Sequence, residues 1–201
     1  MATHDDPRRP RPGTVIDERE FTPISGPPIR VPSPGHLVHL QFRRFAGCPV
    51  CNLHLRSIVR RHAEIEAAGV REVVVFHSPA DELREHAADL PFAVIADPHK
   101  RLYVEFGVES ARRALLHPRA WGPILRAVLR STWAIVRGRE RGPAARPRGG
   151  RFGLPADFLI AEDGTVVACK YGEHAYDQWS VDELLDLASS SPRPAASGPV
   201  S

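Results

Sequence analysis

Leu37-Val38-His39-Leu40-Gln41-Phe42, an apolar-rich run, leads to Cys48-Pro49-Val50-Cys51 at the head of a helical pattern. The run predicts a central strand, and the cysteine pair predicts the start of the helix after it. Proline directly after Cys48 suits the first helical position, where its missing N–H would have no partner anyway. Cys48 is then the N-cap and Cys51 the third helical residue. Both sulfurs would lie near the positive end of the helix dipole, which favours thiolate over thiol. The i, i+3 spacing puts them on one face, close enough to join as a disulfide. Two plainer readings compete. CxxC is half of a zinc knuckle, but no second CxxC or HxxxH follows and Cys169 is the only other cysteine. Two buried, inert cysteines are the other. Strand, then CPxC, then helix favours redox chemistry over both.

Working outward, Cys48–Ala68 reads as one long helix, with Leu55, Ile58, Val59 and Ile65 at helical spacing and Gly69 as its stop. Val73-Val74-Val75-Phe76 is the continuous apolar run of a strand buried on both faces. A helix over 79–90, a short strand over 92–96 and a short helix over 100–106 follow. Glu162-Asp163-Gly164 joins two strands as a hairpin. Ser180 with Glu183 three residues on is a capping box for the last helix. The order β–α–β–α–β–β–α predicts an α/β domain with a central mixed sheet and helices on both faces. Residues 14–189 are expected to form this single domain. Residues 1–13 and 190–201, rich in Pro, Arg, Ser and Ala, are expected to be disordered tails.

The chain has 201 residues, 42% of them hydrophobic, enough for a real core. No apolar run of ~18 residues exists to span a membrane, and the first residues lack the apolar stretch of a secretory signal. Three cysteines are too few for a disulfide scaffold, so a cytoplasmic location is expected, where a CxxC pair cycles. The ten histidines show no metal-ligand spacing, and no metal is expected. The net charge of +3 is uneven: Arg112 to Arg151 holds eleven arginines and one acid. Within this insertion, at about 110–150, Arg119, Arg126, Arg130 and Arg137 share one helical face. Trp121, Ile124, Leu125, Val128 and Ile135 lie opposite. Such a helix most simply lays its apolar face on its own domain. Sharper readings of the 119–137 helix are a lid over the cysteines, a homodimer contact or peripheral docking on an anionic membrane. Nucleic acid is not expected as a partner, because aromatics are not interleaved with the arginines.

Four blocks carry a resemblance to a known family. Arg43-Arg44-Phe45-Ala46-Gly47-Cys48-Pro49-Val50-Cys51 resembles the reactive-cysteine loop of the peroxiredoxin-like (alkyl hydroperoxide reductase/thiol-specific antioxidant) branch of the thioredoxin-fold superfamily. Leu90 to Pro98, with Tyr103, Phe106, Gly107 and Val108, resembles that family's P-F-x-x-x-x-D-P…Y-G-V stretch. Leu154 to Ile160 with Asp163-Gly164 resembles its later strand pair, and His174-Ala175-Tyr176-Asp177 a short HAxD stretch of the subgroup. The typical P-x-x-x-T-x-x-C pattern is incomplete in either alignment: with Cys51 as the reactive cysteine, Cys48 takes the Thr position and Arg44 the Pro position, and with Cys48 as the reactive cysteine, Phe45 and Gln41 take them.

The resemblance implies a thioredoxin fold and a thiol-dependent oxidoreductase reducing hydroperoxides through Cys48 and Cys51. Arg44 and Arg151 are candidates for stabilising the thiolate, Arg43 being a rival beside the same loop. Pro155 would be a thioredoxin-type cis-proline facing the disulfide. His174 and Asp177 either orient a proton donor or simply hold a loop, and Cys169 reads as a buried small hydrophobe. No organic cofactor is needed. The implied partner is a thioredoxin-like or low-molecular-weight thiol reductant. A peroxide is expected to meet Cys51 first, whereas a protein disulfide would meet Cys48, expected to be the more exposed thiol. The alternatives are a thioredoxin-like protein disulfide reductase, and a non-catalytic redox-sensing or binding module on the same fold.

Overall fold

Alternation along the first central strand sets the architecture. The computed structural model describes residues 9–108, 125, 133 and 153–191. Two short strands, β1 (Arg19–Phe21) and β2 (Ile29–Val31), pair antiparallel as a separate ribbon. β3 (Leu37–Arg43), β4 (Val70–Phe76) and β5 (Ala93–Ala96) then pair parallel, and β6 (Ala156–Ile160) and β7 (Val166–Tyr171) are added antiparallel. The five-stranded order is β5-β4-β3-β6-β7. This is the expected mixed sheet, with β3 at its centre.

Successive strand residues point to opposite faces. On one face Val38, Leu40 and Phe42 join Val73, Val75, Phe158 and the rings of Tyr103 and Phe106. The last two belong to or follow the short helix α4 (Arg101–Glu105). The other face carries α1 (Pro49–Arg60), α2 (His62–Ala67), α3 (Ala80–Ala87) and α5 (Val181–Ser190). Leu37, Ile58, Ile65, Trp179 and Leu184 pack together at one end of it. Cys48, Cys51, Leu55, Val74, Phe76 and Leu83 pack at the other. The cysteine pair is therefore built into the core, at the carboxyl ends of the parallel strands.

The capping box at Ser180 and Glu183 forms as the sequence predicts. Three expectations need correction. The helix over 48–68 is two helices, because the Arg61 N–H closes back on Ile58 and its guanidinium pairs with Glu64 at 2.7 Å and with Asp182 of α5 at 2.5 Å. The break lets Ile65 reach full burial beside Ile58. Of the segment expected to be a disordered tail, residues 9–13 are ordered, and residues 1–8 lie outside the described residues. Arg9 stacks over the Tyr171 ring at 4.7 Å, and the Gly13 N–H donates to Val166 O at 2.9 Å, so this stretch lies along β7. The cis peptide lies at Val31–Pro32, and Leu154–Pro155 is trans. The basic insertion lies outside the described residues apart from Leu125 and Trp133, which are helical and exposed.

Candidate active site

β3 ends by delivering Arg43 and Arg44 to a tight loop before α1. Gly47 adopts a φ of 71°, a left-handed conformation that glycine takes without strain. The loop is tied to the end of β4 twice: the Ala46 N–H donates to Ser78 Oγ at 3.0 Å, and the His77 N–H to Arg44 O at 3.1 Å. Cys48 then caps α1, its Sγ accepting from the Cys51 N–H at 3.5 Å, with Pro49 at the first helical position. This is the predicted capping geometry.

Both cysteines are free thiols. Cys48 is 0% exposed and Cys51 3%, which corrects the expectation that Cys48 is the more accessible. Arg44, itself buried, donates from Nη2 to Cys48 Sγ at 3.0 Å and acts on both sulfurs. The two thiols are driven apart in acidity. The Cys51 thiol is pulled down to about 6: the hydrogen bond from Cys48 outweighs burial, and the charge of Arg44 adds to it. Burial and the neighbouring Cys51 push Cys48 well above its ordinary value, against the pull of Arg44. The pair therefore holds one thiolate at neutral pH, at Cys51, with Cys48 as its proton-bearing neighbour.

Beneath the pair lies a buried polar row that sequence reading missed. His39, Gln41 and Arg43 all point to the helix-covered face from β3, and all are 0% exposed. Arg43 Nη2 donates to Asp157 Oδ1 at 2.6 Å, to Gln41 Oε1 at 2.7 Å and to His54 Nε2 at 3.1 Å. His39 lies 2.9 Å from Glu72 Oε2 through Nδ1 and 3.2 Å from Asp157 Oδ1 through Nε2. The Gln41 amide donates to Glu72 as well. Burial works against a charge on His39, but Glu72 and Asp157 outweigh it and raise the imidazole to about 9. Burial opposes the Asp157 charge too, yet Arg43 and His39 hold its carboxyl well below the ordinary range. His54 is pushed far down by burial and by Arg43, so it stays neutral and accepts from the guanidinium. The readable signal is the phase of β3: a polar side chain at every second position of a strand that is central in the sheet.

Two further residues complete the surroundings. The Tyr103 hydroxyl donates to the carbonyls of Arg43 and, at 3.0 Å, Val75, pinning the ends of β3 and β4 from the opposite face. His77 is buried, neither ring nitrogen has a hydrogen-bond partner among the described residues, and burial followed by the charge of Lys100 lowers it to about 4. It stacks edge-on with Tyr103 at 5.7 Å.

The structure therefore brings Arg44, Cys48 and Cys51 together, with Arg43 behind them. Arg151 lies outside the described residues. Pro155 packs against Gly172, where a Cβ would come within 2.7 Å of its ring and 2.5 Å of Asp177 O. His174 and Asp177 order a loop: the Tyr176 N–H donates to His174 Nδ1 at 3.3 Å, and Asp177 pairs with Lys170 at 3.0 Å. Cys169 packs on the opposite face of the sheet, away from the pair. Asp97 accepts from the Arg101 and Leu102 N–H groups at 3.0 and 2.8 Å, which is the physical role of the D-P element before α4. Among the described residues no group of three or more His, Cys, Asp or Glu side chains could hold a metal ion.

A family model for the AhpC/TSA antioxidant enzymes matches residues 57–174. The chain belongs to the AhpC/TSA antioxidant enzyme family. The matched stretch begins after Cys51, so it covers the body of the fold and leaves the cysteine turn to be judged on its own geometry. No protein of curated function matches the chain. Among solved structures, the peroxidoxin BcpB of Mycobacterium tuberculosis is similar at a TM-score of 0.62 and 16% identity, over 90% of this chain and 98% of that one. A cysteine-to-serine mutant of peroxiredoxin 6 from Arenicola marina is similar at 0.58 and 16%, over 89% and 72%. StoA of Bacillus subtilis is similar at 0.51 and 16%, over 88% and 98%. These likenesses establish a thioredoxin-type fold for this AhpC/TSA family member.

Proposed function

We propose that the protein is a thiol peroxidase in which Cys51 attacks the hydroperoxide and Cys48 resolves the product. The observation that carries the reading is the single buried guanidinium of Arg44 serving two sulfurs of opposed acidity. The Cys51 thiolate attacks the outer oxygen of ROOH, the O–O bond breaks, and Cys51 becomes a sulfenic acid while the departing oxygen leaves as ROH with one proton. The Cys51 charge is then gone, and with it the main neighbour that keeps Cys48 protonated. Arg44, already at 3.0 Å, stabilises the Cys48 thiolate that follows. That thiolate attacks the sulfenic sulfur and expels the hydroxyl as water after protonation, forming the Cys48–Cys51 disulfide. A thioredoxin-like or low-molecular-weight thiol supplies the two electrons that restore the pair.

The burial of both sulfurs supports a small peroxide over a protein disulfide as oxidant, because a folded substrate cannot reach a sulfur that is 0–3% exposed. The disulfide-reductase reading is therefore second. The proposal places the enzyme in the cytoplasm, where such reductants are maintained. Trapping with mass spectrometry tests it. Under one equivalent of peroxide, Cys48→Ser accumulates sulfenic acid at Cys51, and the unaltered chain loses two hydrogens to a Cys48–Cys51 disulfide. Sulfenic acid found only at Cys48 would reverse the assignment.

A further inference from the structure

The polar row behind the cysteines sits where apolar side chains could fill the core without burying charge. A buried ion pair adds little net stability over such a filling, so stability does not account for the row. Its geometry ties it to Cys51. Arg43 ends β3, and its guanidinium crosses diagonally to Asp157, which stands opposite Gln41 on β6. Nη2 donates to Asp157 Oδ1 at 2.6 Å, to Gln41 Oε1 at 2.7 Å and to His54 Nε2 at 3.1 Å, and Nη1 donates to Phe42 O at 3.2 Å. Asp157 is held in turn: His39 Nε2 lies 3.2 Å from Oδ1, and the Trp179 N–H donates to Oδ2 at 3.3 Å. His54 follows Cys51 by three residues on α1, and both are buried. Residues at that spacing share a helix face, about 5–6 Å apart at Cβ. The Arg43 charge is thus held against the neighbour of Cys51, and it adds to the pull that Arg44 exerts on that thiol. Glu72 joins the row from β4 through His39 and Gln41. Among the described residues, Asp157 is the carboxylate paired with Arg43 itself.

We propose that Asp157 is a positioning residue for Cys51: through Arg43 it fixes where a second positive charge lies near the sulfur, and how much of that charge the sulfur feels. The inference deepens the reading of Cys51 as the attacking thiolate and rests on it. Two arginines act on the one sulfur, and a thiolate held too firmly is a weaker nucleophile, because nucleophilicity falls as the pKa falls. The Asp157 carboxylate, 2.6 Å from the guanidinium, offsets part of the Arg43 charge. Cys51 then stays ionised at neutral pH and remains reactive. The offset also keeps Arg43 paired when Cys51 is oxidised and carries no charge, so the buried guanidinium is not stranded at that stage.

The test follows the ultraviolet absorbance of the thiolate against pH in the full, reduced chain, with folding checked by circular dichroism. The step below neutral pH belongs to Cys51, since Cys48 is pushed well up. His39, whose charge Glu72 chiefly supports, stays protonated across that step. Asp157→Asn removes the offset and keeps the shape, so the Cys51 midpoint should fall by about half a unit. Arg43→Met removes the charge itself and should raise the midpoint by about half a unit or more. A merely structural role moves both variants the same way, because a loosened site carries Cys51 toward the ordinary thiol value near 8.5. Folded variants whose midpoints move in the same direction, or stay within about 0.2 unit of the parent, overturn the proposal. Should Asp157→Asn fail to fold, Arg43→Met is compared with Arg43→Met combined with Asp157→Leu, in which apolar groups replace the pair. The double variant should lie about half a unit below the single one, and equal midpoints overturn the proposal. Should only the double variant fold, its midpoint should rise above the parent's, since Arg43 is the member of the pair held against α1; an unmoved midpoint overturns the proposal. The two readings fail separately. A parent midpoint at the ordinary thiol value removes the Cys51 thiolate reading, whereas a low parent midpoint with variants that do not diverge removes this inference alone.

Discussion

Replacing Arg44 by Met removes the guanidinium and keeps a side chain that fills the same buried channel. Arg44 is 4% exposed, so its stem is packed and water has little access to take its place. Arg44 donates its hydrogen bond to Cys48 and acts on Cys51 through its charge, and losing an opposite charge this close raises a thiol by about one to two units. Cys51, held down at about 6, should therefore titrate near 7 to 8 in Arg44→Met. At pH 7 the thiolate fraction falls from about nine-tenths to between about a half and a tenth, and alkylation slows roughly in proportion. The assay is the rate of iodoacetamide labelling at Cys51 against pH, with the site resolved by peptide mass spectrometry and folding checked by circular dichroism. A folded Arg44→Met protein whose Cys51 midpoint stays within about half a unit of the parent refutes the assignment of Arg44 as the thiolate's partner.

Asp157→Ala should destabilise the fold by about 3–5 kcal/mol in denaturant titration, because it strands the buried charges of Arg43 and His39, and Asp157→Asn should cost less. The same network gives stability a dependence on pH at both ends. His39 has a raised folded pKa of about 9, so its contribution is complete below its ordinary value near 6.5 and is lost as pH rises through 9. Asp157 is depressed, so its contribution is present above the ordinary carboxylate range and is lost as pH falls below it. His54 and His77, both lowered, add a loss as pH falls below about 6.5. Thermal midpoints measured across pH should fall on both sides of neutrality, and His39→Gln should remove the part of the alkaline decline between about pH 6.5 and 9.

Much of the fold was legible because its signals are local. The apolar run at Val73–Phe76 made a buried strand, Ser180 with Glu183 made a cap, and Pro49 after Cys48 placed a cysteine at the head of a helix. The break at Arg61 was not legible. Nothing in the 48–68 spacing stops a helix there, and the partner that holds Arg61 in place, Asp182, is on the last helix of the chain. The site divides along the same line. Cys48, Cys51 and Arg44 are neighbours in sequence, so their meeting in the structure is local. The Arg43–Asp157–His39–Glu72 row draws on three strands, and only strand pairing brings Asp157 and Glu72 alongside β3. Cys48 was misjudged in exposure for a related reason. Its position at the helix tip is local, while its burial comes from Ile24, Phe45 and the α3 layer packed around it.

Residues 14–24 also have a bearing on how copies of this chain can meet. The Val166 N–H donates to Thr14 O and the Ile16 N–H to Gly164 O at one outer strand, while the Ile24 N–H donates to Val94 O at the other. One N-terminal stretch thus occupies main-chain groups on both margins of the sheet. A bare margin is a template on which a second chain can extend the ladder indefinitely. Here a neighbour that sought to do so would first have to peel away the protein's own leading residues. Self-association is steered toward contacts between side chains, and the continuous-ribbon route to aggregates is obstructed at β5 and β7 alike.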